Sequence, residues 1–219
     1  MPRTRVKICG ICRSSDAILA AEAGADALGM VFCAASKRAI SISLAAEIVR
    51  AIPAFVAAVG LFADSDEKTI RDVVAQTGIT TLQLHGNESP NFVSNLAPLR
   101  VVKAVRVRSA DDLAPWCHPP VNLVGLLLET PHDTELGGTG VANNFAALAQ
   151  LKSQRVFDGL PPIIIAGGLS PQNVGSVVKL LRPHAVDVST GVEQNAREKS
   201  PEKIRAFIDA VYQADQELT

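Results

Sequence analysis

The stretch "PIIIAGGLSPQNVGSVVKLL", residues 162–181, decides the fold. Three consecutive isoleucines between Pro162 and a Gly-Gly pair read as a strand covered on both faces, because a half-exposed strand would alternate apolar with polar residues. Gly167 and Gly168 supply a tight turn. Ser170 then offers an N-cap, with Pro171 at the first helical position, so a helix is expected over 170–181. Strand, turn and capped helix make one β/α unit.

The same unit recurs in both directions. Strand-like runs are "RVKICG" (5–10), "ALGMVF" (27–32), "FVAAVGLF" (55–62), "TTLQLH" (80–85), "RVVKAVRV" (100–107), "VNLVGLLLE" (121–129), "PIIIAGG" (162–168) and "AVDVS" (185–189). Helical segments are expected over 14–23, over 43–52 behind the cap Ser43, over 65–78 with Ser65 as cap and Gly78 as stop, and over 200–213 behind Ser200 and Pro201. Shorter ones are expected near 109–115 and 143–152. Strand starts recur roughly every 20–30 residues, and eight such units fit a compact (β/α)8 TIM barrel, an α/β fold in one domain over 1–219. An open doubly wound sheet is the competing arrangement, since periodicity does not reveal closure.

Composition narrows the function. The 219 residues are 47% hydrophobic but only 4% aromatic, so Ala, Val, Leu and Ile must fill the core. With 21 basic and 22 acidic residues the net charge is −1, which gives no electrostatic reason to expect nucleic acid or a membrane surface as partner. No apolar run reaches the ~18–20 residues of a membrane-spanning helix, and the N-terminal stretch carries no secretory signal, so a cytoplasmic location is expected. Four cysteines are too few for a disulfide scaffold in a chain of this size.

In a barrel the chemistry belongs where strands end and the following loops begin. Those positions hold Cys9, Gln83, His85, Glu129, Gly167, Gly168, Ser189 and Gly191. After strand seven, Gly167 and Gly168 let backbone N–H groups approach an anion. After strand eight, Ser189, Thr190 and Gly191 add hydroxyl and amide donors. Each motif alone is an ordinary turn; on adjacent strand ends they point to phosphate. A third glycine-rich stretch, "ELGGTG" (135–140), lacks P-loop spacing and reads as a loop passing over a ligand.

Cys9 and Cys12 spell C-x-x-C. A zinc site would need further ligands at suitable spacing, and none stands out among Cys33, Cys117 and four histidines. A thioredoxin-like couple would open a helix in a different fold. The residues therefore point to neither a metal site nor a redox couple.

Together the motifs resemble the phosphoribosylanthranilate isomerase family of tryptophan biosynthesis. The resemblance runs through "VKICGI" (6–11), "AGADALGMVF" (23–32), "SKR" (36–38), "VGLF" (59–62), "LQLHGNESP" (82–90), "GGTG" (137–140), "IAGGLSPQNV" (165–174), "DVSTGVE" (187–193) and "PEKIRAFI" (201–208). It implies an Amadori rearrangement of an N-(5′-phosphoribosyl) aromatic amine by one general acid and one general base, without cofactor. By the resemblance Cys9 is the base, which must act as thiolate. Lys7 shares its strand face and is a candidate neighbour of the sulfur. The acid falls on Glu129 in "LLLET", where the family carries aspartate; the extra methylene displaces the carboxyl by ~1.5 Å, and a ~1 Å misplacement can cost ~100-fold. Asp133 is the alternative acid.

The same resemblance assigns Arg38 to the anthranilate carboxylate, and Gln83, His85 and Asp187 to substrate binding. The family has threonine in place of Cys12, and lysine where "VANNF" (141–145) follows "GGTG". His118, His132 and His184 receive no role. The expected partner is a small phosphoribosyl amine, with a monomer as the default and a homodimer as the alternative. Two other functions compete: a non-catalytic phosphosugar-binding paralogue, or an isomerase for a related amine.

Overall fold

The computed structural model describes residues 3–130 and 144–218. Eight parallel strands form a closed barrel in sequence order: β1 (Arg5–Cys9), β2 (Ala27–Val31), β3 (Ala57–Phe62), β4 (Thr81–Leu84), β5 (Arg100–Arg106), β6 (Leu123–Glu129), β7 (Ile163–Ile165) and β8 (Ala185–Val188). The last strand pairs with the first, Lys7 opposite Asp187. That closure excludes the open doubly wound sheet.

Helices α1 (Ser14–Glu22), α2 (Ile42–Ala51), α3 (Glu67–Thr77), α4 (Pro90–Asn95), α5 (Phe145–Ser153), α6 (Val174–Leu181) and α7 (Pro201–Gln216) accompany the strands, with a 3₁₀ segment at Ala110–Trp116 after β5. After β8, a short 3₁₀ turn at Thr190–Val192 leads into a small hairpin of β9 (Glu193–Asn195) and β10 (Glu198–Lys199). No described helix is long and apolar enough to cross a membrane.

Strand alternation sorts the residues into two cores. Val6, Ile8, Leu28, Met30, Leu82, Leu84, Leu126, Leu128, Val186 and Val188 face outward and pack with Ile48, Ile70, Val177, Phe207 and Ile208 of the helices. The alternate set faces the barrel axis: Lys7 and Cys9 on β1, Gly29 on β2, Gln83 on β4, Gly125, Leu127 and Glu129 on β6, Asp187 on β8. Both faces of each strand are therefore covered, which accounts for the dense apolar runs. The chemically active side chains share the inward phase.

Helix starts differ in detail from the expectation. Ser41, not Ser43, caps α2, accepting from Leu44 N at 3.2 Å. Asp66, not Ser65, caps α3, accepting from Thr69 N at 2.8 Å, and Gly78 stops it in the left-handed conformation as expected. Each such cap contributes about 1 kcal/mol. The helix expected from Pro171 begins only at Val174. Ser170 N donates to Asn173 Oδ1 at 2.8 Å, and Asn173 Nδ2 donates to Gly168 O at 2.9 Å, so this side chain holds 168–173 in a loop. Ser200 and Pro201 start α7 as expected.

Candidate active site

The inward phase of β1 brings Lys7 and Cys9 to one face, each less than a tenth exposed. Lys7 Nζ donates to Asp187 Oδ1 across the β1–β8 seam at 2.8 Å, and its charge acts on the Cys9 sulfur beside it. Burial pushes the Cys9 thiol above its ordinary pKa, and the Lys7 charge pulls the other way without overcoming it. Burial alone would weaken the Lys7 ammonium; Asp187 and Cys9 reverse that and keep it protonated well above the usual lysine range. Asp187, expected to meet substrate, gives Oδ1 to this pair.

Arg38 reaches the same side of the rim. Its Nε and Nη2 grip Glu193 at 2.6 and 2.7 Å, and Nη2 also donates to Thr190 Oγ1 at 2.9 Å. Among the described residues, only its Nη1 arm makes no hydrogen bond. Glu193 also takes Lys199 Nζ at 3.0 Å, and Lys199 donates to Ser189 O at 3.1 Å. Burial opposes the Glu193 charge, but Arg38 and Lys199 hold its carboxyl below the usual carboxylate range. Burial lowers the pKa of Lys199, with Glu193 pulling it back up.

The two loops expected to hold phosphate meet at this end. Gly167 and Gly168 adopt positive φ of 84° and 66°, which an L side chain would resist. A Cβ on Gly191 would lie 2.0 Å from Leu169 O, so the loop after β8 is seated directly on the loop after β7. Gly191 thus rests on Leu169, the residue that follows Gly167 and Gly168, and Lys199 Nζ holds the carbonyl of Ser189.

Opposite in character is the cluster on β4 and β6. His85 Nε2 lies 3.3 Å from Glu129 Oε2, and Gln83 Nε2 lies 3.1 Å from His85 Nδ1. Gln83 Oε1 is buried without a hydrogen-bond partner among the described residues. Beside Glu129 opens a cavity of about 330 Å³, lined among others by Asp64, His85, Lys103, Arg106 and Trp116. Its far wall is fixed by a buried ion pair, Lys103 Nζ to Glu88 at 3.0 Å, which also ties down the carbonyls of Leu84, Gly86 and Ala104. A smaller cavity of about 220 Å³, around Phe157, Leu160 and His184, lies at the N-terminal ends of β7 and β8, the end of a barrel associated with stability.

Cys12 is buried; its Sγ donates to Gly10 O at 3.6 Å and to Arg38 O at 3.5 Å. Burial raises its pKa, so it is a thiol that ties the Arg38 backbone to the end of β1. All four cysteines are free. Among the described residues, no cluster of three or more His, Cys, Asp or Glu is disposed to hold a metal. Asp133, His132 and the glycine-rich stretch 135–140 lie outside the described residues.

Sequence reasoning assigned no role to Glu193, Lys199, Glu88 or Lys103. Glu193 closes the "DVSTGVE" block, a usable signal. Lys199 sits in a charged run whose burial is set by the β9–β10 hairpin, so nothing local marks it.

A closed parallel barrel with ionisable side chains and glycine-rich turns gathered at the C-terminal strand ends is the architecture of a (β/α)8-barrel enzyme. The chain belongs to the N-(5′-phosphoribosyl)anthranilate (PRA) isomerase family, whose sequence profile matches residues 6–210. The N-(5′-phosphoribosyl)anthranilate isomerase of Pseudomonas fluorescens (strain Pf-5) is 40% identical over 218 residues, 100% of both chains. Phosphoribosylanthranilate isomerase in complex with reduced 1-(o-carboxyphenylamino)-1-deoxyribulose 5-phosphate superposes with a TM-score of 0.81 at 34% identity, over 96% of this chain and 99% of that one. A structure of monomers generated from the dimeric phosphoribosylanthranilate isomerase of Thermotoga maritima gives 0.82 at 33% identity, with coverage of 96% and 99%.

Proposed function

We propose that this chain isomerises N-(5′-phosphoribosyl)anthranilate to 1-(o-carboxyphenylamino)-1-deoxyribulose 5-phosphate through a single domain spanning 1–219. The observation that carries the reading is the placement of a thiol and a carboxyl, Cys9 and Glu129, at the C-terminal ends of two strands in the same inward phase. Acid and base on one barrel interior are what ring opening followed by enolisation requires.

Glu129 protonates the ring oxygen, and the furanose opens to a protonated Schiff base. The Cys9 thiolate removes the C2′ proton, which gives the enolamine, and tautomerisation yields the ketose. Gly167, Gly168, Ser189, Thr190 and Gly191 offer amides and hydroxyls to the phosphate. Arg38 Nη1 meets the anthranilate carboxylate, its other nitrogens being fixed on Glu193 and Thr190. Gln83 and His85 orient Glu129, and Asp187 acts through Lys7. The reaction needs no metal or organic cofactor, and the working unit is a monomer.

Phosphoribosylanthranilate formed in situ, with loss of its fluorescence followed on adding purified protein, tests the reading. Turnover is expected, with losses of about 10²–10⁴-fold in Cys9→Ala and in Glu129→Gln. A wild-type rate equal to buffer points instead to a phosphosugar-binding paralogue. Light scattering reads the oligomeric state, where a dimer would refute the monomer.

A further inference from the structure

We infer that Lys7 is a positioning residue for Cys9: held by Asp187 beside the sulfur, its ammonium orients the thiol and neutralises the charge the sulfur acquires when it acts. The inference rests on the reading of Cys9 as the base.

Three observations carry it. First, Lys7 is buried inside the barrel, where an apolar residue would serve packing equally well or better; replacing buried ion pairs with apolar residues is often neutral or stabilising. Charge here therefore calls for a use beyond packing. Second, the hydrogen bond to Asp187 Oδ1 at 2.8 Å holds the ammonium on the inward face that Lys7 shares with Cys9. Third, Gly29 on the neighbouring strand makes the convergence sterically allowed. A Cβ there would lie 2.9 Å from Cys9 Sγ and 2.9 Å from Lys7 Nζ, so the two atoms are separated by at most twice that, 5.8 Å. Any larger residue at 29 would occupy the space the two side chains share.

The other charged groups around the sulfur do not substitute for Lys7. Asp187, from β8, opposes thiolate formation. Lys199, from β10, acts at longer range and is bonded to Glu193 and Ser189 O. Arg38 senses Cys9 but spends its guanidinium on Glu193 and Thr190. Burial is the largest influence on Cys9 and raises its pKa; Lys7 is the largest counterweight.

The protons balance simply. Cys9 starts as a thiol beside the Lys7 ammonium and the Asp187 carboxylate. The thiol proton leaves to solvent, and the thiolate pairs with Lys7. The sulfur then takes the C2′ proton and becomes a thiol again. Lys7 keeps its three protons throughout, so it is not the base.

Thiolate ultraviolet absorbance, taken as the difference between each protein and its Cys9→Ala counterpart across pH, tests this. Lys7→Met is expected to raise the Cys9 midpoint by about 1–3 units, with the midpoint of kcat/KM moving equally and KM little changed. Circular dichroism checks the fold. If Lys7→Met does not fold, Lys7→Met/Asp187→Asn compared with Asp187→Asn alone isolates the lysine charge, and the same upward direction is expected. An unmoved thiol midpoint overturns the inference even where activity is lost, since Lys7 would then be structural. Full activity in Cys9→Ala would instead sink the assignment of the base and leave the titration readable.

Discussion

His85 Nε2 stands 3.3 Å from the Glu129 carboxylate. The imidazole is held from its other nitrogen by Gln83 at 3.1 Å, so the longer carboxylic acid of this chain is anchored from the wall of β4. Aspartate at 129 would withdraw the carboxyl by about 1.5 Å, one carbon–carbon bond, and forfeit that anchor. Glu129→Asp is therefore expected to lower kcat by about 100-fold. Steady-state kinetics on the purified variant check this; a rate at or above wild type would mean that His85 does not position the acid.

His85→Leu removes the anchor but keeps the carboxyl. The expected result is a fall in kcat of about tenfold or more, smaller than in Glu129→Gln, with thermal stability nearly unchanged because His85 is partly exposed at the rim. A larger effect on KM than on kcat would assign His85 to binding.

Burial holds the Cys9 thiol above its ordinary pKa, so little thiolate is present near neutrality. If the thiolate is the base, kcat/KM should climb about tenfold per pH unit from neutrality toward the thiol midpoint. A profile that is level through pH 7–9 would mean either a thiol already ionised below pH 7 or a base other than Cys9, and the residual rate of Cys9→Ala separates the two.

Glu193 joins Arg38 and Lys199 in a nearly buried network. Glu193→Gln leaves two cations facing one another and should cost about 3–5 kcal/mol in denaturant unfolding. The pH dependence follows from the sign. The carboxyl titrates lower folded than unfolded, so its contribution is present above the unfolded pKa and is lost as pH falls through the folded one. Acid destabilisation below about pH 4.5 should be weaker in Glu193→Gln than in wild type. Equal acid sensitivity in both would separate this network from stability.

Gly191→Ala places a methyl 2.0 Å from Leu169 O, a backbone atom that cannot step aside alone. The loops after β7 and β8 must part, at a cost of about 1–3 kcal/mol. KM for the phosphoribosyl substrate should rise several-fold with kcat less affected. An unchanged KM would detach these loops from the phosphate.

The strands were legible because residues packed on both faces leave dense apolar runs, and "III" at 163–165 needs no partner to be read. Closure was not, since the pairing of Lys7 with Asp187 joins residues from opposite ends of the chain. Caps slipped by one or two residues where competent side chains stand close together, as Ser41 with Ser43 and Ser65 with Asp66. Helix α6 starts at Val174 and not at Pro171 because the Asn173 side chain, not Ser170, organises that turn. Helix α4 leaves no period in the sequence, being only six residues long, although Ser89 and Pro90 mark its start.

In the site, Cys9 and Glu129 could be located because each ends an apolar run. Their supports are non-local. Nothing near Arg38 indicates that Glu193 grips it from 155 residues away, and nothing near Lys199 indicates that it lies fully buried. Sequence proximity did suggest Lys7 beside Cys9, because two residues along a strand share a face.

The central claim is met most directly by a crystal structure of this protein with the reduced ketose phosphate bound. The account predicts the phosphate on the turns around Gly168 and Gly191, C2′ against Cys9 Sγ, and the oxygen released by ring opening against the Glu129 carboxyl. A ligand whose sugar touches only one of those two side chains would contradict it.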